Sequence, residues 1–333
     1  MSAPSDAELR AGLERSLAGV GLELGGEIQR RPSAYRTSFP IEEVRVELEG
    51  RGEVTLAFKQ LDWEGLEPEA QLAKPRFLHD PEREPEVYRA LLARGPAGPP
   101  EFFGSVGEGE RRWLFVEWVA GRGLFQVGER ALWEEAARWL ARFHVALAPE
   151  LDRCRHEAPL LDHDAAFYRR WIERAREFAA GGADQAKVES LAARHEQVVE
   201  SLLALPRTVL HGEFYASNVL VAGAASDFVP SRLGRKSDAR VVPVDWELAA
   251  VGPGLTDLAA LGSGWPEEDR RAIVAAYAAE PGVPAFDDRD LGFARLQVAI
   301  QWLGWAPPEW EPPEGQRHDW LGEAVALAEE LGL

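Results

Sequence analysis

The sequence is short of the residues that build disulfides, thiolate metal sites and lysine-rich surfaces. Its 333 residues include one cysteine, Cys154, which excludes an intramolecular disulfide and any cysteine-rich metal site. The 37 basic residues include only four lysines, Lys59, Lys74, Lys187 and Lys236. No apolar run of about 18 residues occurs and no leader-like segment opens the chain, so a soluble cytoplasmic protein with no membrane partner is expected. With 56 acidic residues the formal charge is −19, which argues against a nucleic-acid partner; it suits a cationic ligand, although solubility explains it as well. No internal repeat or low-complexity segment is evident. A chain of this length with 46% hydrophobic residues has material for a large core, divided into two parts that share one cleft.

What the chain does carry is concentrated between residues 208 and 257. Thr208-Val-Leu210 and Val219-Leu-Val221 are short extended segments that hold His211-Gly-Glu213-Phe-Tyr-Ala-Ser-Asn218 between them as a loop. Val241-Val-Pro-Val244 reads as a hairpin partner of the second segment, delivering Asp245 to the same edge as Asn218. Phosphoryl transfer asks little of a protein: a carboxylate beside the attacking hydroxyl, a few oxygen ligands for Mg²⁺, and a cation on the nucleotide phosphates. Glu213, Asn218 with Asp245, and Lys59 meet those three demands in turn. A His-Gly-Glu tripeptide alone is weak evidence; the ordered set of His211, Asn218, Asp245-Trp246-Glu247 and Gly252-Pro-Gly-Leu-Thr-Asp257 is stronger.

That set resembles the aminoglycoside phosphotransferase and choline kinase-like family, with one departure: Glu213 stands where the family usually has Asp. The resemblance implies an α+β, two-lobed protein-kinase-like fold, with a small antiparallel-sheet N-lobe (1–120, nucleotide-binding) and a larger, mainly helical C-lobe (121–333, catalytic loop and acceptor pocket). It implies transfer of the γ-phosphate of ATP or GTP, with Mg²⁺, to a hydroxyl of a small acceptor. Glu213 would be the catalytic carboxylate, His211 a brace for the loop, Asn218 and Asp245 the metal ligands, Glu247 a residue of the acceptor side, and Asp257 a structural tie to the loop. A monomer or homodimer is expected. A catalytically silent pseudokinase that binds nucleotide or a protein partner is the alternative. A zinc deaminase built on His211 and Glu213 would need a Pro-Cys-x-x-Cys partner, which one cysteine cannot supply.

The first third reads as a nucleotide-gripping lobe. A strand and turn over 27–39, the alternating Val44–Leu48 and the strand Val54–Lys59 after a Gly50-Arg-Gly52 turn predict a three-stranded meander. Val54, Leu56 and Phe58 share one face, so Lys59 projects from the other. Glu82-Arg-Glu84-Pro-Glu-Val-Tyr88 resembles the family helix whose glutamate holds that lysine, and this selects Glu84 over Glu82 and Glu86; a solvated acidic helix start is the bland reading. The phosphate turn is the weak link, because Arg30-Arg31-Pro-Ser33-Ala-Tyr-Arg36 has no glycine; Ser33 or the amides of 33–36 would have to meet phosphate. Trp113–Gly121 resembles the family's strand and hinge, with backbone groups around Glu117 to Val119 facing the base.

Helices are predicted from about Gly128 (stripe Leu132, Ala136, Trp139, Leu140, Phe143, Leu147, with His144 structural), over 165–180, 184–205, 256–261, 266–279, 287–304 and 319–331. Trp302 and Trp305 are expected in the core. Glu309 and Trp310 are the better acceptor candidates, since rings and carboxylates together suit ammonium groups, and Glu311 extends them. The segment 222–240 is long and locally basic, either a surface loop or a flap over phosphates.

Overall fold

The computed structural model describes residues 4–33, 38–108, 111–223, 240–310 and 318–333. The loop expected over 222–240 lies almost wholly outside the described residues, as do Arg36 and Glu311.

The chain opens with α1 (Asp6–Gly19), started by a reciprocal cap: the Glu8 N–H donates to Ser5 Oγ at 3.3 Å and the Ser5 N–H to the Glu8 carboxylate at 2.9 Å. Then follow β1 (Gln29–Pro32), β2 (Ile41–Leu48), β3 (Gly52–Gln60), α2 (Pro68–Ala73), α3 (Arg83–Glu86), β4 (Phe102–Glu108) and β5 (Arg111–Glu117). The five strands form one antiparallel sheet in the order β1-β2-β3-β5-β4. Leu9, Leu13 and Leu17 of α1 bury against Val44, Val46, Leu56, Phe58, Phe103 and Phe115. That packing claims the Leu56/Phe58 face of β3 and leaves Lys59 on the opposite face, toward the larger lobe.

The second lobe comprises β6 (Gly121–Gly123), α4 (Arg130–Leu147), α5 (Leu151–Glu157), β7 (Leu161–Asp162), α6 (Ala165–Ala179), α7 (Gln185–Ala192), α8 (His195–Ala204), β8 (Arg207–Leu210), β9 (Val219–Ala222), β10 (Arg240–Pro243), β11 (Ala250–Pro253), α9 (Leu255–Leu261), α10 (Glu267–Ala278), α11 (Asp288–Leu303) and α12 (Trp320–Leu331). β9 and β10 form the expected hairpin, extended by β6, while β8 joins β11 and β7 in a separate small sheet. The segment between β8 and β9 therefore leaves one sheet and enters another, which fixes both of its ends.

Three sequence expectations are corrected. The helix expected over 184–205 breaks between α7 and α8 at Ala193-Arg194, a junction with neither glycine nor proline to announce it. The N-terminal lobe has α1, α2 and β4 beyond the predicted elements. On α4, Trp133 is buried where the stripe placed Leu132, which is only partly covered. Among the described residues no helix is long and apolar enough to cross a membrane.

His163, just after β7, is buried with its ring stacked on Phe167 at 4.0 Å, and burial depresses its pKa to about 4. An unfolded histidine titrates near 6.5. Between those values the unfolded chain binds a proton that the folded chain refuses, so this contribution is complete above about pH 6.5 and is lost as pH falls toward 4. The loss amounts to about 3 kcal/mol at most. His163→Phe should shrink the fall in melting temperature between pH 7 and pH 4.5; an unchanged fall would place the acid sensitivity elsewhere.

Candidate active site

Lys59 is the centre of the site. Its ammonium lies 2.7 Å from Glu84 Oε2 and also contacts Asp245 Oδ1, with all three side chains buried. Burial disfavours the charged amine, yet the two carboxylates outweigh it and raise the lysine's pKa. Burial likewise pushes the Glu84 carboxyl up, whereas for Asp245 Lys59 overrides burial and holds it below the usual range. Glu82 and Glu86, the rivals for Glu84's place, are taken by Arg112 and Arg89. The other Glu84 oxygen accepts the Trp246 N–H at 3.3 Å, so one carboxylate joins the strand lysine to the segment after β10.

The loop between β8 and β9 is held from below. Asp257, at the start of α9, accepts the N–H groups of His211 (2.7 Å) and Gly212 (3.0 Å) and is itself contacted by His144 Nε2 at 3.3 Å. Gly212 has φ of 88°, and a Cβ there would lie 2.0 Å from the Leu248 carbonyl oxygen, so the loop requires glycine at this point. His211 is fully buried, with Nε2 3.0 Å from the Val244 carbonyl oxygen; burial lowers its pKa, consistent with a neutral ring that donates there and accepts the Glu213 N–H on Nδ1 at 3.4 Å. His211 thus braces the loop against the Asp245 segment.

On that frame Glu213 is half-buried, and its carboxyl is pushed up to about 8 by burial and then by the charges of Glu247 and Asp245. Asn218 Nδ2 donates to the Glu213 carbonyl at 3.0 Å and the Asn218 carbonyl accepts the Val244 N–H at 2.9 Å, which leaves Oδ1 as the unanchored end of the amide. Asp245 is the sole non-glycine residue with positive φ among the described residues, at 68°. With the backbone bent at this point, its carboxylate meets Lys59.

Sequence reasoning missed two cations. Lys74, capping the end of α2, is buried and paired with the buried Glu247 carboxylate. The Arg83 guanidinium, also buried, donates to the carbonyls of Glu247 (2.6 Å), Leu78 (2.8 Å) and Pro159 (2.8 Å). The one signal for Lys74 was the scarcity of lysine.

The donor set suits a hard divalent cation. Asp245 offers a carboxylate and Asn218 an amide oxygen, and the carboxyls of Glu84, Glu213, Asp245 and Glu247 outnumber the cationic groups of Lys59, Lys74 and Arg83. Among the described residues no group of three or more His, Cys, Asp or Glu side chains converges on one point.

Other assigned residues lie as follows. Ser33 donates its N–H to the Ile41 carbonyl at 2.8 Å. The Glu117 N–H donates to the Glu101 carbonyl at 2.8 Å and its carboxylate meets Arg240, so its backbone amide is committed to the strand edge, while Val119 lies beyond β5, half-buried. Trp302, expected in the core, is half-buried and meets Tyr215 of the loop between β8 and β9 at 5.5 Å between ring centroids; it stacks on Trp320 at 5.4 Å. Glu309 is exposed on a turn and Trp310 half-buried. Among the described residues no hydrogen bond or ring contact ties either to the catalytic loop.

A family model described as "Phosphotransferase enzyme family" matches residues 67–297. A search of curated protein sequences gave no match. Among solved structures, the GDP complex of aminoglycoside 2′-phosphotransferase-IIIa superposes with a TM-score of 0.57 at 13% identity, covering 98% of each chain. The macrolide 2′-phosphotransferase MphH from Brachybacterium faecium gives 0.57 at 16% identity over 97% of this chain and 98% of that one. The choline kinase LicA from Streptococcus pneumoniae gives 0.55 at 12% identity over 95% and 96%. At these identities the likeness is one of fold.

Proposed function

The chain belongs to the phosphotransferase enzyme family, and from its site we propose that it transfers the γ-phosphate of ATP or GTP, with Mg²⁺, to a hydroxyl of a small cationic molecule such as an aminoglycoside-like sugar or an amino alcohol. The observation that carries this reading is the Lys59 ammonium held between Glu84 and Asp245, with Glu213 on a braced loop beside it. We take residues 1–120 as the nucleotide-binding lobe and 121–333 as the lobe bearing the catalytic loop and acceptor pocket.

In this reading Lys59, oriented by Glu84, lies along the nucleotide phosphates, and the base rests against the strand edge at Glu117 to Val119. Asn218 and Asp245 hold the metal, which when bound neutralises charge on the phosphates. Glu213 accepts the acceptor hydroxyl's proton as its oxygen attacks the phosphorus and the bond to the nucleoside diphosphate breaks. His211 and Asp257 keep the loop in place. Glu247 adds negative charge beside Glu213, and Tyr215 with Trp302 offers an aromatic wall near it, the combination that attracts ammonium groups. Glu309 and Trp310 stand further out on the same end of the chain.

A thermal-shift and nucleotide-turnover screen over amino sugars, amino alcohols and nucleosides, with both ATP and GTP, tests the assignment. We expect stabilisation by a magnesium–nucleotide complex and turnover that a cationic acceptor accelerates. Preferential turnover of a neutral or acidic acceptor over every amine would sink the cationic part of the reading.

A further inference from the structure

The phosphate turn between β1 and β2 has no glycine, and its described polar groups are committed elsewhere. Arg30 forms a two-pronged pair with Glu42 at 2.6 Å on each prong and donates to the Pro4 carbonyl at 2.7 Å. Arg31 pairs with Glu43, and the Ser33 N–H is spent on Ile41. Among the described residues of the turn, these three groups are thus already engaged within the protein. Phe39, at the end of the same connection, is buried with two ammonium groups against its ring, Lys59 Nζ at 5.5 Å from the centroid and Lys74 Nζ at 5.3 Å. One aromatic ring thus spaces two of the chain's four lysines inside one cleft. Lys59 is fixed on Asp245; Lys74 is fixed on Glu247, two residues further along the same segment.

We propose that Lys74 is a second phosphate-gripping cation: in the loaded enzyme its ammonium moves from Glu247 to the terminal phosphate of the nucleotide, doing the work that a glycine-rich turn's amides do elsewhere. This inference rests on the kinase reading above and assigns the division of labour within it. Lys59 serves the phosphates nearer the nucleoside and Lys74 the one to be transferred. Lysine suits the task because an ammonium on a flexible four-carbon stem can exchange one anion for another, whereas a guanidinium fork would be held by its first partner. Glu247 is the resting partner that makes burial of Lys74 tolerable while no nucleotide is bound.

The test is titration calorimetry of wild type, Lys74→Met and the double variant Lys74→Met/Glu247→Gln with Mg²⁺ and either ADP or a non-hydrolysable ATP analogue, beside their melting temperatures. We expect Lys74→Met to weaken the triphosphate analogue by at least about tenfold, the value of one charge-assisted contact, and ADP by less than about twofold on the same scale. Removal of both charges should restore the melting temperature lost by leaving Glu247 buried alone, without restoring triphosphate preference. Equal weakening of both nucleotides, or a preference that returns with the melting temperature in the double variant, would make the pair a structural latch and overturn the proposal. Unchanged affinities in Lys74→Met would overturn it while leaving the kinase reading intact. A wild type that binds neither nucleotide would overturn both.

Discussion

Glu213→Gln should abolish nearly all phosphoryl transfer, a loss of about 10²–10⁴-fold in kcat, the range of a positioned proton acceptor, while nucleotide affinity stays close to wild type. The amide keeps the size of the side chain and its place on a loop anchored through the N–H groups of His211 and Gly212, so the change is chemical rather than structural. Glu213→Asp is the sharper comparison. Shortening the side chain withdraws the carboxylate by up to roughly 1.5 Å, one C–C bond, and an error of that order costs about 10²-fold where geometry is fixed. The loop is fixed, because Gly212 admits no side chain against Leu248 and Asp257 grips two successive amides. Glu213→Asp should therefore be slower than wild type even though it restores the residue that the family usually carries. Wild-type turnover in Glu213→Gln, with a turned-over acceptor in hand, would remove Glu213 from the mechanism.

Asp245→Asn should remove most of the metal-dependent part of nucleotide binding and lower transfer severely. Asparagine tolerates positive φ nearly as well as aspartate, so the bent backbone at 68° survives, and Lys59 keeps Glu84 as partner. What disappears is the carboxylate on Lys59 that the proposed metal site requires. In wild type, removing Mg²⁺ should weaken nucleotide binding by at least about tenfold, equivalent to about 1.4 kcal/mol; in Asp245→Asn the same removal should change it by less than about twofold on that scale. Nucleotide binding that is identical with and without Mg²⁺ in the wild type would show the metal assignment to be wrong.

The parts of the site legible in the sequence are those whose geometry is local or whose partner is marked by a motif. Glu213, Asn218 and Asp245 come together because two short strands and a hairpin place them at one edge, and periodicity is enough to see that. Lys59 could be oriented because Leu56 and Phe58 had to bury, which left it the other face. Lys74 escaped notice because its partner is 173 residues away and the chain around it has no periodic pattern. The left-handed backbone of Asp245 was equally hidden, since aspartate is compatible with several conformations and only tertiary contacts from Glu84 and His211 select this one. Trp302 and Trp305, expected in the core, pack against it half-buried, and the contact of Trp302 with Tyr215 is one that the sequence does not locate. The additional strand β4 contains Gly104 and Gly107, both at positive φ, which break the alternation that marks a strand. The helix α1 carries Gly12 and Ser16 on its buried face, so its apolar stripe is too thin to stand out.

In the proposed reaction Glu213 serves a phosphoryl transfer to a hydroxyl. Phosphorus NMR of a reaction containing the protein, Mg²⁺, ATP or GTP and an amino alcohol or amino sugar tests it directly. A new phosphate monoester resonance should grow as nucleoside diphosphate appears, be coupled to the acceptor's own protons, and be absent with Glu213→Gln. Nucleotide that stays intact with every acceptor despite tight binding, or a monoester that forms at the wild-type rate in Glu213→Gln, would contradict it.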